Sequence, residues 1–279
     1  MQRKEYIQAP LPFMGQKRMF AGEFRKLLQS FDDRTVFIDL FGGSGLLSHL
    51  AKREKPLSTV VFNDYDNYKQ RLDNIPRTNA LLADLRHLAE ACPRTKRIPS
   101  CVKEAILERI ASEEHTGFVD YITLSSSLLF SMKYRLSLDA LRKEAFYNTI
   151  RLNDYNADGY LDGLTIVRKD YKELFAAYKD VPGVVFLVDP PYLSTEVGSY
   201  TMDSWRLSDY LDVLTVLCGT SYVYFTSNKS SIIDLCGWME AHQDFGNPFS
   251  GATKKTFSAH MNYNSGYTDI MLYKQADAS

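Results

Sequence analysis

The sequence predicts an α/β protein built on a mostly parallel sheet, and three apolar stretches carry that prediction. The runs at 35–38, 58–62 and 184–188 are rich in β-branched residues, which is typical of strands buried on both faces. Helical patterns alternate with them, as in an open α/β sheet. Such a sheet binds its ligand at the carboxyl ends of its strands, where this chain places Asp, Asn and Gly.

Composition narrows the class of protein. With 279 residues, the chain is one large domain or a domain with a sizeable insertion. The net charge of −1 means that a nucleic-acid partner would require cations concentrated on one face. The four cysteines and five histidines are scattered without metal-type spacing, which predicts reduced thiols, a cytoplasmic location and no bound metal. No apolar run reaches membrane-spanning length, and no signal-peptide core follows Met1.

Asp189-Pro190-Pro191-Tyr192 directly follows the third apolar run and is the strongest functional signal. The prolines fix the backbone and cannot donate, so the Asp189 carboxylate and the Pro190 carbonyl remain available as acceptors. Tyr192 adds a ring for stacking. Acceptors beside an aromatic surface suit a planar amine such as adenine N6, because they favour a pyramidal, nucleophilic nitrogen. The alternative is a plain strand-ending turn, since Asp and Pro are common turn residues.

A second signal is the segment 39–45, Asp-Leu-Phe-Gly-Gly-Ser-Gly, between a strand and a helical pattern. It predicts the first βα unit of a nucleotide-binding sheet, with backbone N–H groups facing the ligand. A dinucleotide fingerprint would place a third glycine at Ser48, and Asp39 would repel a pyrophosphate. An oxidoreductase with a nucleotide cofactor is therefore a weak alternative. Asp39 instead suits a ligand with an ammonium group.

Asp64 ends the next predicted strand. Its spacing along the sequence from the glycine turn is about that of the acidic residue that binds a ribose diol in nucleotide-binding sheets. A strand-capping turn residue is its alternative interpretation. Upstream, residues 10–20 predict a proline-ended loop before a helix that runs to about Leu28, and Lys17 offers a cation near the start of that helix.

Between residues 76 and 161 the βα alternation stops, which predicts an inserted helical subdomain within a catalytic domain formed by 1–75 and 162–279. Helical patterns cover 78–90, 102–112 and about 122–130. The candidates for phosphate or base contacts in this insertion are Arg94, Lys96, Arg97, Lys133, Arg135, Arg142, Lys143, Asn148 and Arg151. A helical subdomain with solvated charges is the alternative.

The sheet pattern resumes at 164–167, followed by Asp170 and a helix over 171–178. A further strand at 222–225 ends in polar residues that include Ser227 and Asn228. Two runs near the C-terminus, around 254–260 and 268–273, predict an antiparallel hairpin at the sheet edge.

In this order the motifs resemble those of the Dam-type adenine-N6 DNA methyltransferases, which use S-adenosylmethionine. The matching segments are Pro12-Phe-Met-Gly-Gln-Lys17, Asp39-Leu-Phe-Gly-Gly-Ser-Gly45, Asn63-Asp64, Asp170-Tyr171, Asp189-Pro-Pro-Tyr192, Ser227-Asn228 and the 264–274 ending. The likeness covers most of the chain outside the insertion. It implies a Rossmann-like methyltransferase fold with an inserted helical target-recognition subdomain and a C-terminal hairpin.

The resemblance also implies residue roles. Asp189, Pro190, Pro191 and Tyr192 would hold the target base. The cofactor would contact Phe13, Lys17, Asp39, Phe41, Gly43, Gly45, Asp64, Asp170 and Tyr171. Double-stranded DNA is the implied partner, contacted by the insertion and by Ser227 and Asn228. The family also makes an associated restriction endonuclease a candidate partner, as in a restriction-modification system, and leaves the oligomeric state open.

The predicted reaction is methyl transfer to N6 of an adenine that has left the duplex, at a cost of a few kcal/mol. The same chemistry on RNA adenine or on a protein amide is the nearest alternative, and a non-catalytic DNA-binding relative is a second. Gln16 departs from the family pattern, and the insertion does not match the family's GATC-reading segment. The recognition sequence therefore does not transfer.

Overall fold

The computed structural model describes residues 6–130, 133–192, 205–242, 246–262 and 265–276. The chain divides into two compact units. The sheet unit consists of residues 5–8, 16–66 and 161–279, and the helical unit of residues 1–4, 9–15 and 67–160. The predicted boundaries at 76 and 161 differ mainly on the N-terminal side, where 9–15 and 67–75 group with the helices.

The sheet unit has one seven-stranded sheet in its described residues. The strands are β1 (Val36–Asp39), β2 (Thr59–Asn63), β3 (Thr165–Val167), β4 (Val184–Val188), β5 (Ser221–Ser227), β6 (Thr253–Asn262) and β7 (Ser265–Lys274). Their order is β3-β2-β1-β4-β5-β7-β6, with β7 antiparallel to both neighbours and the pairs from β3 to β5 parallel. The predicted parallel sheet and terminal hairpin are confirmed.

Helices cover both faces of this sheet. The sheet unit contains α1 (Ala21–Leu28), α2 (Leu46–Glu54), α8 (Tyr171–Tyr178), α9 (Leu207–Leu217) and α10 (Ile232–Ala241). The first two bury Phe24, Leu28 and Leu50 against one face, together with Phe37 and Phe225 of the strands. The other three bury residues such as Leu174, Val213 and Ile232 against the opposite face, which carries Ile38 and Val188. The apolar runs therefore became strands because helices remove both of their faces from water.

The helical unit contains α3 (Tyr68–Asp73), α4 (Ile75–Leu88), α5 (Ser100–Thr116), α6 (Tyr121–Leu128) and α7 (Leu138–Arg142). Its most buried ion pair joins Arg71 Nε to Asp120 Oδ2 at 3.0 Å. The same guanidinium donates to the Pro12 carbonyl at 2.8 Å. Asp120 also caps α6 by accepting from the Thr123 backbone N–H. Within the described ranges, no helix combines the length and apolar character needed to span a membrane.

Candidate active site

The strand order places a crevice at the carboxyl ends of β1 and β4. From β1 the chain proceeds outward to β2 and β3, whereas β4 and β5 lie on its other side. This reversal is the topological switch point, where doubly wound sheets bind their ligands. The glycine turn follows β1 and Asp189-Pro-Pro-Tyr192 follows β4. The two strongest sequence motifs therefore meet at neighbouring strand ends.

The glycine turn has a conformation that depends on its glycines. Gly43 and Gly45 adopt φ values of +51° and +71°, in the left-handed region that residues with a Cβ avoid. A Cβ on Gly42 would lie 2.3 Å from the Phe62 ring and 2.7 Å from the Asn63 carbonyl oxygen. Gly45 is the residue before α2, so the turn leads directly into the helix N-terminus.

Asp39 is buried at the end of β1 and only partly satisfied. Its Oδ2 accepts a hydrogen bond from the Ser48 hydroxyl at 2.7 Å. Its Oδ1 has no hydrogen-bond partner among the described residues. Burial raises the pKa of Asp39 to about 7, and the nearby charge of Asp189 adds to this shift; hydrogen bonds from Ser48 and from the Phe41 backbone, with the charge of Lys17, oppose it. Ser48, which departs from a dinucleotide fingerprint, thus orients the carboxylate of the motif.

Asp189 forms an ion pair with Lys17. Lys17 Nζ lies 2.7 Å from Asp189 Oδ2, with side chains only 9% and 17% exposed. Burial raises the pKa of Asp189, and Lys17 opposes that shift. The same ammonium lies 5.6 Å from the centroid of the Tyr192 ring. Lys17 was expected at the methionine end of a cofactor, which stays a prediction, and the structure shows that it pairs with the Asp189 carboxylate.

A third carboxylate, Asp269 on β7, belongs to the same group and was missed by the sequence analysis. Strand alternation places Asp39, Asp189 and Asp269 on one face, because Ile38, Val188 and Ile270 next to them all pack on the other. We call these three carboxylates the acidic row. Burial raises the pKa of Asp269, while Lys17 and Lys229 lower it. A carboxylate in the interior of a strand, on the face that buries Met271, was the signal that could have revealed it.

Asn63 and Asp64 continue the carboxyl edge at β2. Asn63 Nδ2 donates to the Leu40 carbonyl at 3.0 Å and to the Lys169 carbonyl at 2.9 Å. Its Oδ1 accepts from the Lys169 N–H at 3.0 Å. The Asp64 N–H donates to the Val167 carbonyl at 2.8 Å, and the residue is buried. Asn63 therefore fixes the strand ends beside which Asp64 lies.

Phe41 and Tyr171 form an aromatic cluster with Trp205, which the sequence analysis did not identify. The Tyr171 ring lies 4.9 Å from Phe41 and stacks on Trp205 at 5.9 Å, measured between ring centroids. Asp170 is exposed and caps α8 by accepting from the Lys172 N–H at 2.7 Å. Phe41 follows β1 and Tyr171 follows β3, and both were predicted to contact the cofactor. The fold brings their rings into contact.

Phe13 groups with the helical unit, where its ring contacts Tyr68 edge-to-face at 5.6 Å. Ser227 and Asn228 lie in the sheet unit. Ser227 is buried and its hydroxyl accepts from the Lys229 N–H, whereas Asn228 is exposed and its Oδ1 accepts from the Thr268 N–H at 2.9 Å. Roles for these residues toward cofactor or DNA stay predictions.

Most of the predicted nucleic-acid contacts of the helical unit are exposed. These are Arg94, Lys96, Arg97, Lys133, Arg142, Lys143 and Arg151. Arg135 is half-buried and pairs with Glu144. Asn148 is buried, donates to the Cys92 carbonyl at 2.7 Å and accepts from Arg94 at 3.0 Å. A base-reading role for Asn148 would require breaking these bonds.

In the described ranges, no group of three or more His, Cys, Asp or Glu side chains is arranged to hold a metal ion. The doubly wound sheet, the glycine turn at its switch point and the C-terminal antiparallel strands define the class: a Rossmann-like methyltransferase fold. A protein of Haemophilus influenzae (strain ATCC 51907 / DSM 11121 / KW20 / Rd) named "Putative methyltransferase" is 36% identical over 280 residues, covering 98% of this chain and 94% of that protein. The chain belongs to the same methyltransferase family.

No family model matches the chain. Among solved structures, it is similar to the precorrin-6y C5,15-methyltransferase of Geobacter metallireducens GS-15, at 10% identity and a TM-score of 0.37 over 98% of this chain and 100% of that one. A likeness of this size carries no argument about fold or substrate. The assignment to the Dam-type adenine-N6 enzymes stays a prediction.

Proposed function

We propose that this methyltransferase transfers the methyl group of S-adenosylmethionine to N6 of adenine in DNA. The observation that carries the proposal is the position of Asp189-Pro-Pro-Tyr192 at the switch point, on a strand adjacent to that of the acidic residue of the glycine turn. Acceptors for an amine and a binding turn for a cofactor then lie at neighbouring strand ends, which in-line transfer between the two requires.

The residues present fit S-adenosylmethionine. The unpartnered Oδ1 of Asp39 is a buried acceptor that suits an ammonium group, because a buried carboxylate oxygen without a donor is costly. The three carboxylates of the acidic row outnumber the two nearby lysines, Lys17 and Lys229, so the site favours a cationic ligand. Asp64 suits a ribose diol, and the Phe41–Tyr171 rings suit an adenine. When bound, this cofactor supplies an electrophilic methyl group on a sulfonium sulfur.

Asp189 would act on the target amine. Lys17 contacts its Oδ2, and the described residues show no bond to its Oδ1, which can accept from an exocyclic N–H. The Pro190 carbonyl offers a second acceptor. The amine becomes acidic as it gains the methyl group, so its proton can pass to Asp189, whose burial raises its pKa. Asp189 need not be a strong base, and charge complementarity supplies most of the acceleration.

DNA is favoured as the substrate class by the exposed cations of the helical unit, since phosphates dominate nucleic-acid affinity. RNA adenine and protein amides share the amine chemistry and are separated by experiment. The protein is incubated with methyl-labelled cofactor and, in parallel, duplex DNA, RNA of the same sequence and a mixed protein substrate. Nucleoside analysis of the DNA should find N6-methyladenine.

The Asp189→Ala variant tests the role of the loop. We expect transfer to fall by at least about 10²–10³-fold, as when one preorganised polar group is removed from an active site. Binding of S-adenosylhomocysteine should stay largely unchanged. Asp180→Ala, an exposed acid at the end of α8, is the matched control and should behave as the unmodified protein. If only the RNA or the protein substrate became labelled, the assignment of DNA as the substrate would be refuted. If the Asp189→Ala variant lost cofactor affinity in parallel with its rate of transfer, the role of Asp189 would be refuted.

A further inference from the structure

Within the helical unit, three cations line one cleft. Arg97, Lys103 and Lys143 surround a cleft of about 430 Å³ together with Pro99, Ser100 and Phe146. Glu144 is the acid that also lines it, and Glu144 is already paired with Arg135. The cations come from two segments that are far apart in sequence, 97–103 and the one around Lys143. Lys103 was not among the residues expected to contact nucleic acid.

The cleft is lined by a framework of backbone and side-chain hydrogen bonds. The segment around Arg97 pairs with the segment around Tyr147: the Ile98 N–H donates to the Phe146 carbonyl at 2.8 Å, and the Asn148 N–H to the Lys96 carbonyl at 2.9 Å. Lys103 Nζ donates to the Arg142 carbonyl at 2.7 Å and lies 5.3 Å from the centroid of the Phe146 ring. The buried Asn148 amide adds bonds to the same framework. The cations are therefore held near one another before any ligand arrives.

The cations in and around this cleft differ in their ion pairing from several other arginines of the helical unit. Elsewhere in that unit, arginines pair with carboxylates: Arg71 with Asp120, Arg77 with Glu113, Arg86 with Asp154 and Arg109 with both Asp84 and Glu113. In the part of the chain that the structure describes, Lys96, Arg97, Arg142 and Lys143 form no ion pair with a carboxylate. Like charges grouped in this way repel one another unless an anion lies among them.

We infer that this cleft binds a backbone phosphate of the nucleic-acid substrate, an inference that rests on the proposed function. Exposed lysine and arginine side chains suit phosphate oxygens, and a phosphate contact positions a duplex without reading its sequence. A chain of phosphodiesters fits better than a single free phosphate, because Arg94, Lys96 and Arg142 extend the cationic surface beyond the cleft. The cleft thus increases the affinity of the protein for duplexes of every base sequence.

The test measures duplex DNA binding by fluorescence anisotropy across a salt series, in the full chain with bound S-adenosylhomocysteine. The variant is Arg97→Ala with Lys143→Ala, which spares Lys103 and its bonds to the framework. Lys172→Ala on α8 with Lys179→Ala directly after it removes the same charge from the sheet unit and serves as the control. We expect the cleft variant to bind every duplex sequence more weakly, by roughly tenfold per cation lost.

The salt dependence gives the second readout. A phosphate contact contributes about −0.9 to the slope of log K against log[salt], so loss of the one phosphate held in the cleft should reduce the magnitude of that slope by about 0.9. The methylated motif should not change. Unchanged affinity and slope in a folded cleft variant would overturn the inference, as would a change confined to one sequence.

Two further outcomes keep this inference separate from the proposed function. Inorganic pyrophosphate binding that depends on Arg97 and Lys143, in a protein that binds no duplex, would overturn the nucleic-acid source and assign the cleft to a small phosphate ligand. Duplex binding through the cleft without methyl transfer would support the cleft and refute only the proposed reaction.

Discussion

The two units bury charge in opposite ways. In the helical unit, Arg71 and Asp120 form a one-to-one ion pair, to which Thr123 and the Pro12 carbonyl add hydrogen bonds, and Arg71 Nη1 has no hydrogen-bond partner among the described residues. In the sheet unit, three carboxylates of the acidic row share the ammonium of Lys17, and Asp39 keeps an unpartnered oxygen. A buried pair of one cation and one carboxylate is typical of a structural role. A buried group with more carboxylates than cations is electrostatically unfavourable, and a bound cationic ligand can relieve this cost. The difference favours the sheet unit as the place of the proposed chemistry.

The largest effect is expected from breaking the balanced pair. Asp120→Ala leaves the Arg71 guanidinium buried without its counter-ion, which should lower the free energy of unfolding by about 3–5 kcal/mol. Urea denaturation measures this value. The double variant Arg71→Met with Asp120→Leu should recover most of the loss, because it removes both charges. If Asp120→Ala were as stable as the unmodified protein, the structural reading of this pair would be wrong.

A smaller effect of opposite sign is expected at the unbalanced site. The folded-state pKa of Asp39 is raised to about 7, so the folded protein holds this proton more tightly than the unfolded chain does. Its contribution to stability is therefore lost as the pH rises from about 4 to 7. Asp39→Asn should raise the free energy of unfolding at pH 8 by on the order of 2–4 kcal/mol, with no difference near pH 4.

Denaturation of both proteins at a series of pH values checks this prediction, with Asp180→Asn as the matched control. The same variant should bind S-adenosylhomocysteine more weakly at pH 8, because the ammonium group would lose its carboxylate. Greater stability together with unchanged ligand affinity would mean that Asp39 is strained for another reason.

The smallest effect is expected at Asp64, which lies beside the acidic row. If its carboxylate accepts from a ribose diol, Asp64→Ala should weaken cofactor binding by about 1–3 kcal/mol, the cost of leaving polar partners unpaired. Calorimetry with S-adenosylhomocysteine measures the change, and circular dichroism confirms that the variant is folded. If the variant and the unmodified protein bound the cofactor product equally well, Asp64 would be a turn residue at the strand end and not a ligand of the ribose.

Local sequence patterns were sufficient to predict many of the helices and strands, but not the arrangement of side chains in the candidate active site. Helix α8 was predicted over 171–178 and is observed at Tyr171–Tyr178, because its period and its Asp170 cap are both local signals. Helices α9 and α10 were not named beforehand. The Lys17–Asp189 pair and the place of Asp269 depend on tertiary structure and on strand order, in which β5 alone separates β4 from β7. Asn148 is polar and near cations in sequence, yet pairing of its segment with that of Arg97 buries it.

Among the described residues, β3 and β6 are the two outermost strands of the sheet, and they differ in length. Strand β3 has three residues, too few to template a strand from a second molecule. Strand β6 has ten, with the exposed Lys254 and Lys255 on it and a register shift between His260 and Asn262. Short length, lysines and bulges are the features that discourage edge-to-edge pairing. The fold therefore carries protection against aggregation at the edge where its long terminal hairpin would otherwise invite it.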